Sequence, residues 1–566
     1  MDININKSAP EVRVLLIMSF SHASDAFTAI SPPPGLHRLR HHLNKNGFHC
    51  DVLDLDFEGH KLDDYLKRTL EGYYQVIGVN VTHFNMVETL NTTWQFHDAA
   101  NQSDSPVTFI GGGQEATMNY QQVLNAGGLD MILTGFCEER LEQLCHRVSG
   151  LIGEGAAVEG KLPIEELTRD MEGVAFFDRE GKDVNIPAPP LSNDEFRQLS
   201  YTGILDLDLP YLDYWEMTRK NSVDDMTFNR NVFIVETSRL YTTSHCPRHC
   251  GFCSSQTFLP ASQSSNSSII MLTAEEVHDL IVLDVKKYGA KHFIIGDDDF
   301  PVGNKAGMDR LYKLCELIME SRLKGVLPDS LTFYMQARIA DFLVRKDGRR
   351  VVNMDILHKL KEAGFYTYGL GVETFSDRLL KSPSVNKLGV DAQDCENVLD
   401  AMLDIGLNPL INIILCVPES TVEELVHTIR VATRFILKDC QANVTPIMSC
   451  YPGAPLLNRP EYKYNTMSWT VPKTGETIKI MKYFTPWDPQ ISMIYDNLRD
   501  ETAKTRQEIV KKTSVNFDTL PKPISALTIF ITVARLLKDK VLEEELDAAM
   551  MDMIERNNMC LVESEC

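Results

Sequence analysis

The sequence predicts an α/β protein: a doubly wound parallel sheet, then a partial (β/α)6 barrel, then a mainly helical C-terminal region. Three observations carry this expectation. Short, continuously apolar runs alternate with helix-length stretches over residues 12–150, the alternation resumes near residue 232 and continues to residue 455, and the remaining periodicity is helical. A strand covered on both faces has no solvent side, so its run is continuously apolar, as expected of parallel sheets.

The first series opens with Val12–Met18 as a strand. A proline-braked loop follows, then a helix from about Leu36, a stop at Gly47 and a second strand at Cys50–Leu55. Val76–Val81, Val107–Ile110 and Met131–Leu133 read as the next three strands. Each ends in small or polar residues: Thr82-His83-Phe84-Asn85, Gly111-Gly112-Gly113 and Gly135-Phe136-Cys137-Glu138-Glu139. Ligands of open α/β sheets sit beyond the carboxyl ends of strands, where these residues fall.

Residues 151–228, punctuated by proline, read as a connector. Residues 229–455 hold the second series, with strands near 232–236, 293–296, 332–336, 366–371, 411–417 and 444–448. Its helix at 273–288 has a capping box from Thr273 and Glu276, an apolar face of Val277, Leu280, Ile281, Val285 and Tyr288, and a stop at Gly289. Residues 456–566 form the helical cap, with one helix starting at Pro523 and an amphipathic one over Val541–Glu555.

At roughly 150 residues per domain, 566 residues make three to four domains. Apolar residues at 43% and charged residues at 24% exclude disorder as the main state. The 56 basic against 79 acidic residues give a net charge of −23, the wrong sign for holding a phosphate backbone, so no nucleic-acid partner is expected. The most lipid-like run, Ile524–Leu537, contains Arg535 and falls short of the ~20 apolar residues of a membrane span. The opening MDININK has no secretory pattern, so the cytoplasm is the expected compartment and thiols there stay reduced.

Three of the thirteen cysteines are clustered: Cys246, Cys250 and Cys253, in TSHCPRHCGFC. Chance would set three at preset offsets in about 0.007 of such chains, so the C-x3-C-x2-C spacing points to metal ligands. Three thiolates on one loop can hold three irons of a 4Fe-4S cluster and leave the fourth open. Alternatively, His245 or His249 completes a tetrahedral zinc site.

The loop resembles the signature of radical S-adenosylmethionine (SAM) enzymes, including the aromatic Phe252 before the last cysteine. The resemblance extends through Gly296-Asp297-Asp298-Asp299-Phe300, Gln336-Ala337-Arg338, Gly369–Ser376 with Glu373, and Tyr451-Pro452-Gly453-Ala454-Pro455. It implies a 4Fe-4S cluster on the three cysteines, with Phe252, Gly296, Asp297, Asp298, Gln336, Arg338 and Glu373 around SAM. Residues 12–150 resemble the cobalamin-binding domain that precedes the barrel in one subclass of that family. The resemblance lies in Pro33-Pro34-Gly35-Leu36, Val81-Thr82-His83, Gly111-Gly112-Gly113 and Thr134–Glu139. Gly35, Leu36, Thr82, His83, the three glycines, Gly135 and Glu138 are the implied cobalamin contacts. No Asp in residues 12–60 is followed two positions later by His, so the D-x-H-x-x-G cobalt-ligating motif is absent. A cobalt face without a histidine is implied, with His22 and His83 the alternative ligands.

The implied enzyme reductively cleaves SAM to a deoxyadenosyl radical, takes a hydrogen from an unactivated carbon of a small molecule or peptide, and methylates that carbon from methylcobalamin. A low-potential donor such as flavodoxin or ferredoxin would supply the electron. Cys416 and Cys450, at the ends of barrel strands, are hydrogen-donor candidates or buried packing thiols. A radical rearrangement or cyclisation without methyl transfer is the alternative, and a non-catalytic cluster or cobalamin sensor the weaker one.

Overall fold

Strand β1 (Arg13–Met18) shows why the first apolar run is continuous. Leu15 and Ile17 enter one buried cluster with Ile77, Val79 and Phe109, while Val14 and Leu16 enter another with Val76, Ile110 and Met131. Alternate residues of one strand thus line two cores, one on each side of the sheet. The computed structural model describes residues 11–19, 31–103, 105–158, 160–221, 235–265, 268–513 and 522–563.

The chain divides into two units. The first comprises Met1–Trp215, Ser255–Ile270 and Thr466–Ile480. Its sheet contains β1, β2 (His49–Asp54), β3 (Val76–Asn80), β4 (Thr108–Gly112), β5 (Met131–Leu133), β6 (Val174–Phe177) and β7 (Asp183–Ile186), in the order β2-β1-β3-β4-β5-β6-β7. The first five are parallel, and β6 and β7 are added antiparallel. Residues 151–228 are therefore more than a connector. VAFF at 174–177 is an apolar run whose strand covers the edge of β5, and the prolines around it mask that pattern in the sequence.

The second unit comprises Glu216–Ser254, Met271–Asn465 and Met481–Cys566. Six parallel strands lie in chain order: β8 (Thr237–Leu240), β9 (His292–Ile295), β10 (Thr332–Ala337), then, after the hairpin β11 (Leu343–Lys346) and β12 (Arg349–Val352), β13 (Phe365–Glu373), β14 (Asn408–Cys416) and β15 (Gln441–Ile447). Stacked Phe293, Phe333 and Phe365, with ring centroids 5.5 and 4.8 Å apart, pack across β9, β10 and β13. The helix Ala274–Tyr288 has both halves of the capping box and a left-handed Gly289 at its end, as the sequence predicts.

The strand expected near 232–236 falls largely on residues outside the described ones, 222–234, and the first described strand of this sheet, β8, is the polar segment Thr-Ser-Arg-Leu that follows. An edge strand does not need the apolar run that predicted it, and Ser238 instead donates to Asp284 on the neighbouring helix. The C-terminal region is helical over Pro489–Thr513, Lys522–Leu537 and Lys540–Glu563, preceded by a two-stranded sheet of β16 (Tyr464–Thr470) and β17 (Thr477–Phe484). Among the described residues, no helix is long and apolar enough to cross a membrane.

Candidate functional site

The three cysteines follow β8 directly, in a loop that the surrounding backbone grips. Asp297, just past β9, is buried and accepts from the Thr242 hydroxyl and from the Thr242 and Thr243 N–H groups, the latter at 2.6 and 3.1 Å. Its carboxylate therefore fixes the entry to the cysteine loop, while Asp298 beside it is exposed. Within the loop, Arg248 Nε donates to Asp299 at 2.7 Å and its guanidinium also reaches the Val302 carbonyl. Asp299 lies 3.4 Å from Arg338, which donates to Asp341 at 3.0 Å. Two buried carboxylates thus face two guanidinium groups. Burial, with Asp299 nearby, pushes Asp341 up to about 6.

The far side of the loop is held by Ser382–Lys387. Asn386 donates to the His249 carbonyl, and Leu456 N–H donates to the Gly251 carbonyl at 3.1 Å. A β-carbon at residue 251 would fall 2.0 Å from the Pro383 carbonyl oxygen, so only glycine lets the loop lie this close. The segment is itself tied down by buried Glu419, which accepts from Ser384 Oγ at 2.5 Å and from the Tyr462 hydroxyl at 2.6 Å. The cysteines are unbridged and half-buried, and burial pushes the Cys246 thiol up to about 12. Among the described residues no three His, Cys, Asp or Glu side chains close into a metal site. The donor set nevertheless fits a cluster with three protein ligands: three soft thiols share one loop whose backbone is held from both sides.

Glu373 ends β13 at φ 64°, where the register against β14 slips by one residue. A bulge with a left-handed non-glycine residue re-aims the side chain at a strand end. The carboxylate is buried, 2.8 Å from buried Lys387. Gly296, Gln336 and Arg338 lie at the carboxyl ends of β9 and β10, and Phe252 is half-buried in the cysteine loop. Cys416 ends β14 and Cys450 follows β15. Both are buried, which pushes each thiol up to about 12, and Cys450 Sγ faces Met481 Sδ at 3.9 Å.

In the first unit the strand order reverses at β1 and β3, the switch point where open α/β sheets bind ligands. Thr82, past β3, donates to Asn85 from its N–H and hydroxyl at 2.8 and 2.9 Å. His83 Nδ1 is 3.1 Å from buried Glu115, so the ring has a carboxylate partner within the protein. His22 lies outside the described residues. Of the glycine triplet, Gly111 faces Leu129 and Ile132 in the core, and Gly113, at φ 96°, would set a β-carbon 2.2 Å from Asn80 Oδ1. Internal packing thus explains these two, while a β-carbon at Gly112 would have only an ordinary contact, 3.8 Å from the Leu133 carbonyl oxygen, and one at Gly35 would point into open space. Leu36 is buried, Gly135 is left-handed, and buried Glu138 accepts from Arg38 at 2.7 and 3.1 Å.

Sequence reasoning did not single out Arg248, Asp341, Lys387 or Glu419. Arg248 stands inside the cysteine motif and Asp299 inside the triple aspartate, so both carried a local signal. Lys387 and Glu419 acquire their place only through long-range packing.

Residues 240–432 match the model of the Radical SAM superfamily. No curated protein matches the chain. Among solved structures, the radical S-adenosylmethionine methyltransferase TsrM from Kitasatospora setae, with cobalamin and a 4Fe-4S cluster bound, is similar at TM-score 0.59 and 15% identity, over 95% of this chain and 100% of that one. The same enzyme with tryptophan substrate and a SAM analogue aligns at TM-score 0.58 and 14% identity, over 86% of this chain and 88% of that one. The cobalamin-dependent S-adenosylmethionine radical enzyme OxsB, with aqua-cobalamin bound, aligns at TM-score 0.62 and 15% identity, over 98% of this chain and 81% of that one. At these identities the likeness is one of fold. Residues 240–432 carry a radical SAM domain. The chain as a whole has the fold of the cobalamin-dependent radical SAM enzymes.

Proposed function

We propose that this chain is a cobalamin-dependent radical SAM enzyme that methylates an unactivated carbon of a small molecule or peptide. The observation that carries the reading is the three-cysteine loop at the carboxyl end of β8, in the same chain as a doubly wound sheet with a switch point beyond β1 and β3. A cluster held by Cys246, Cys250 and Cys253 would supply the electron that cleaves SAM, and cobalamin would supply the methyl-transfer chemistry. Phe252, Gly296, Asp298, Gln336, Arg338 and Glu373 are the SAM-facing residues in this reading, and Asp297 holds the loop entry. Gly35, Leu36, Thr82, Gly112 and Glu138 are the candidate cobalamin contacts in this reading. The protein's share is orientation and exclusion of water. Cys416 and Cys450 are hydrogen-donor candidates. Unchanged product yield in Cys416→Ala and Cys450→Ala would remove them from that role.

OxsB, whose fold this chain equally shares, is described only as a cobalamin-dependent S-adenosylmethionine radical enzyme. The same site therefore supports a second reading, rearrangement or cyclisation without methyl transfer. Isotope-labelled methyl from SAM separates the two. Methylation puts the label in the product, with deoxyadenosine and S-adenosylhomocysteine formed in about equal amounts because one SAM is cleaved and another remethylates cobalamin. An unlabelled product with the carbon count of its substrate would favour rearrangement or cyclisation instead. Changing all three cysteines to Ala should abolish iron uptake, and a wild-type chain that holds only zinc would end both readings.

A further inference from the structure

Lys387 lies at no strand end and in no motif, yet it is only 8% exposed, an unusual position for an ammonium group. Its Nζ is 2.8 Å from Glu373 Oε1 and donates to the Gly371 carbonyl. A β-carbon at residue 371 would fall 2.3 Å from that nitrogen, so the glycine in the β13 bulge makes room for it. The neighbouring Asn386 donates to the His249 carbonyl, and the Pro383 and Ser384 carbonyls crowd Gly251. The segment carrying Lys387 therefore lies against the loop on both sides of Cys250.

We propose that Lys387 is a positioning residue with two tasks: it orients the Glu373 carboxylate for binding SAM, and it sets a fixed positive charge beside Cys250. The inference rests on the radical SAM reading above. Without the ammonium, Glu373 is a buried carboxylate stripped of its counter-ion, and it must turn away from its present direction. The titratable groups facing Lys387 are Glu373, Arg338 and the Cys250 and Cys395 thiols, so its charge lies beside Cys250. A positive charge there favours the more negative, reduced state of whatever cluster Cys250 helps to hold.

The test uses the full chain, reconstituted anaerobically, with iron content, SAM affinity by equilibrium dialysis and midpoint potential as readouts. In Lys387→Met, iron content should hold, SAM affinity should fall about tenfold, and the potential should drop. In Glu373→Gln the affinity should fall similarly while the potential rises, because a negative charge has been removed. Opposite shifts of potential are not what mere loosening of the fold produces. The double variant K387M/E373Q removes both buried charges and keeps the test alive if the single variant misfolds. Its SAM affinity should be no worse than that of E373Q alone. Wild-type affinity and potential in K387M, or wild-type affinity in the double variant, would overturn the proposal. A wild-type chain that binds neither cluster nor SAM would overturn the reading beneath it, and the proposal with it.

Discussion

At Glu424 three residues donate to one carboxylate: Arg378 at 2.5 and 2.9 Å, Ser376 at 2.7 Å and Thr421 at 3.1 Å. Burial opposes ionisation, but these donors outweigh it and hold the group down at about 2, below its ordinary 4.5. A carboxylate depressed in the folded state stabilises it fully above the unfolded value and loses that contribution as the pH falls. The window here runs from about 4.5 down to about 2. Glu424→Gln should cost about 1 kcal/mol near pH 6, and the gap from wild type in urea midpoint should narrow as the pH approaches 3. A gap independent of pH would mean that the donors bind the amide equally well. The same carboxylate holds Ser376 and Arg378, in the segment that follows Glu373.

At the scale of elements, the cysteine loop is shaped by what lies on it. Gly251→Ala drives a β-carbon to 2.0 Å from the Pro383 carbonyl, and that backbone has nowhere to go because Glu419 holds Ser384. The variant should lose cluster loading, measured as iron per chain, with destabilisation of about 2 kcal/mol or more. Normal iron content with an unchanged melting curve would show that the 383–387 segment yields. The loop spacing, the helix with its capping box and most strand positions were legible in the sequence because each is encoded within a few residues. β8 was not legible because an edge strand of Thr, Ser and Arg has no apolar signature, and β6 was hidden among prolines. The partners of Asp297, Glu373 and the loop glycine were not legible at all, since residues 242, 387 and 383 meet them only after the chain has folded back.

At the scale of the molecule, the first unit is not a contiguous stretch. Val471, Ile478 and Ile480 complete the same core as Leu15, Ile77 and Phe109, and Ala188 exchanges backbone hydrogen bonds with Ser262 and Ser264 at 2.9 and 2.7 Å. A fragment ending at Trp215 would lack both contributions and expose apolar surface. It should bind a hydrophobic dye and be cleaved by protease more readily than the full chain under the same conditions. Equal resistance would mean that residues 466–480 only decorate a core already closed.

That late-arriving core segment also bears on synthesis at the ribosome. Nascent chains usually finish their first domain before the next emerges. Here the first sheet's interior waits for residue 480, after every strand of the second sheet has left the exit tunnel. At roughly 5–20 residues per second the wait is on the order of tens of seconds, during which an unfinished apolar face is open to chaperones.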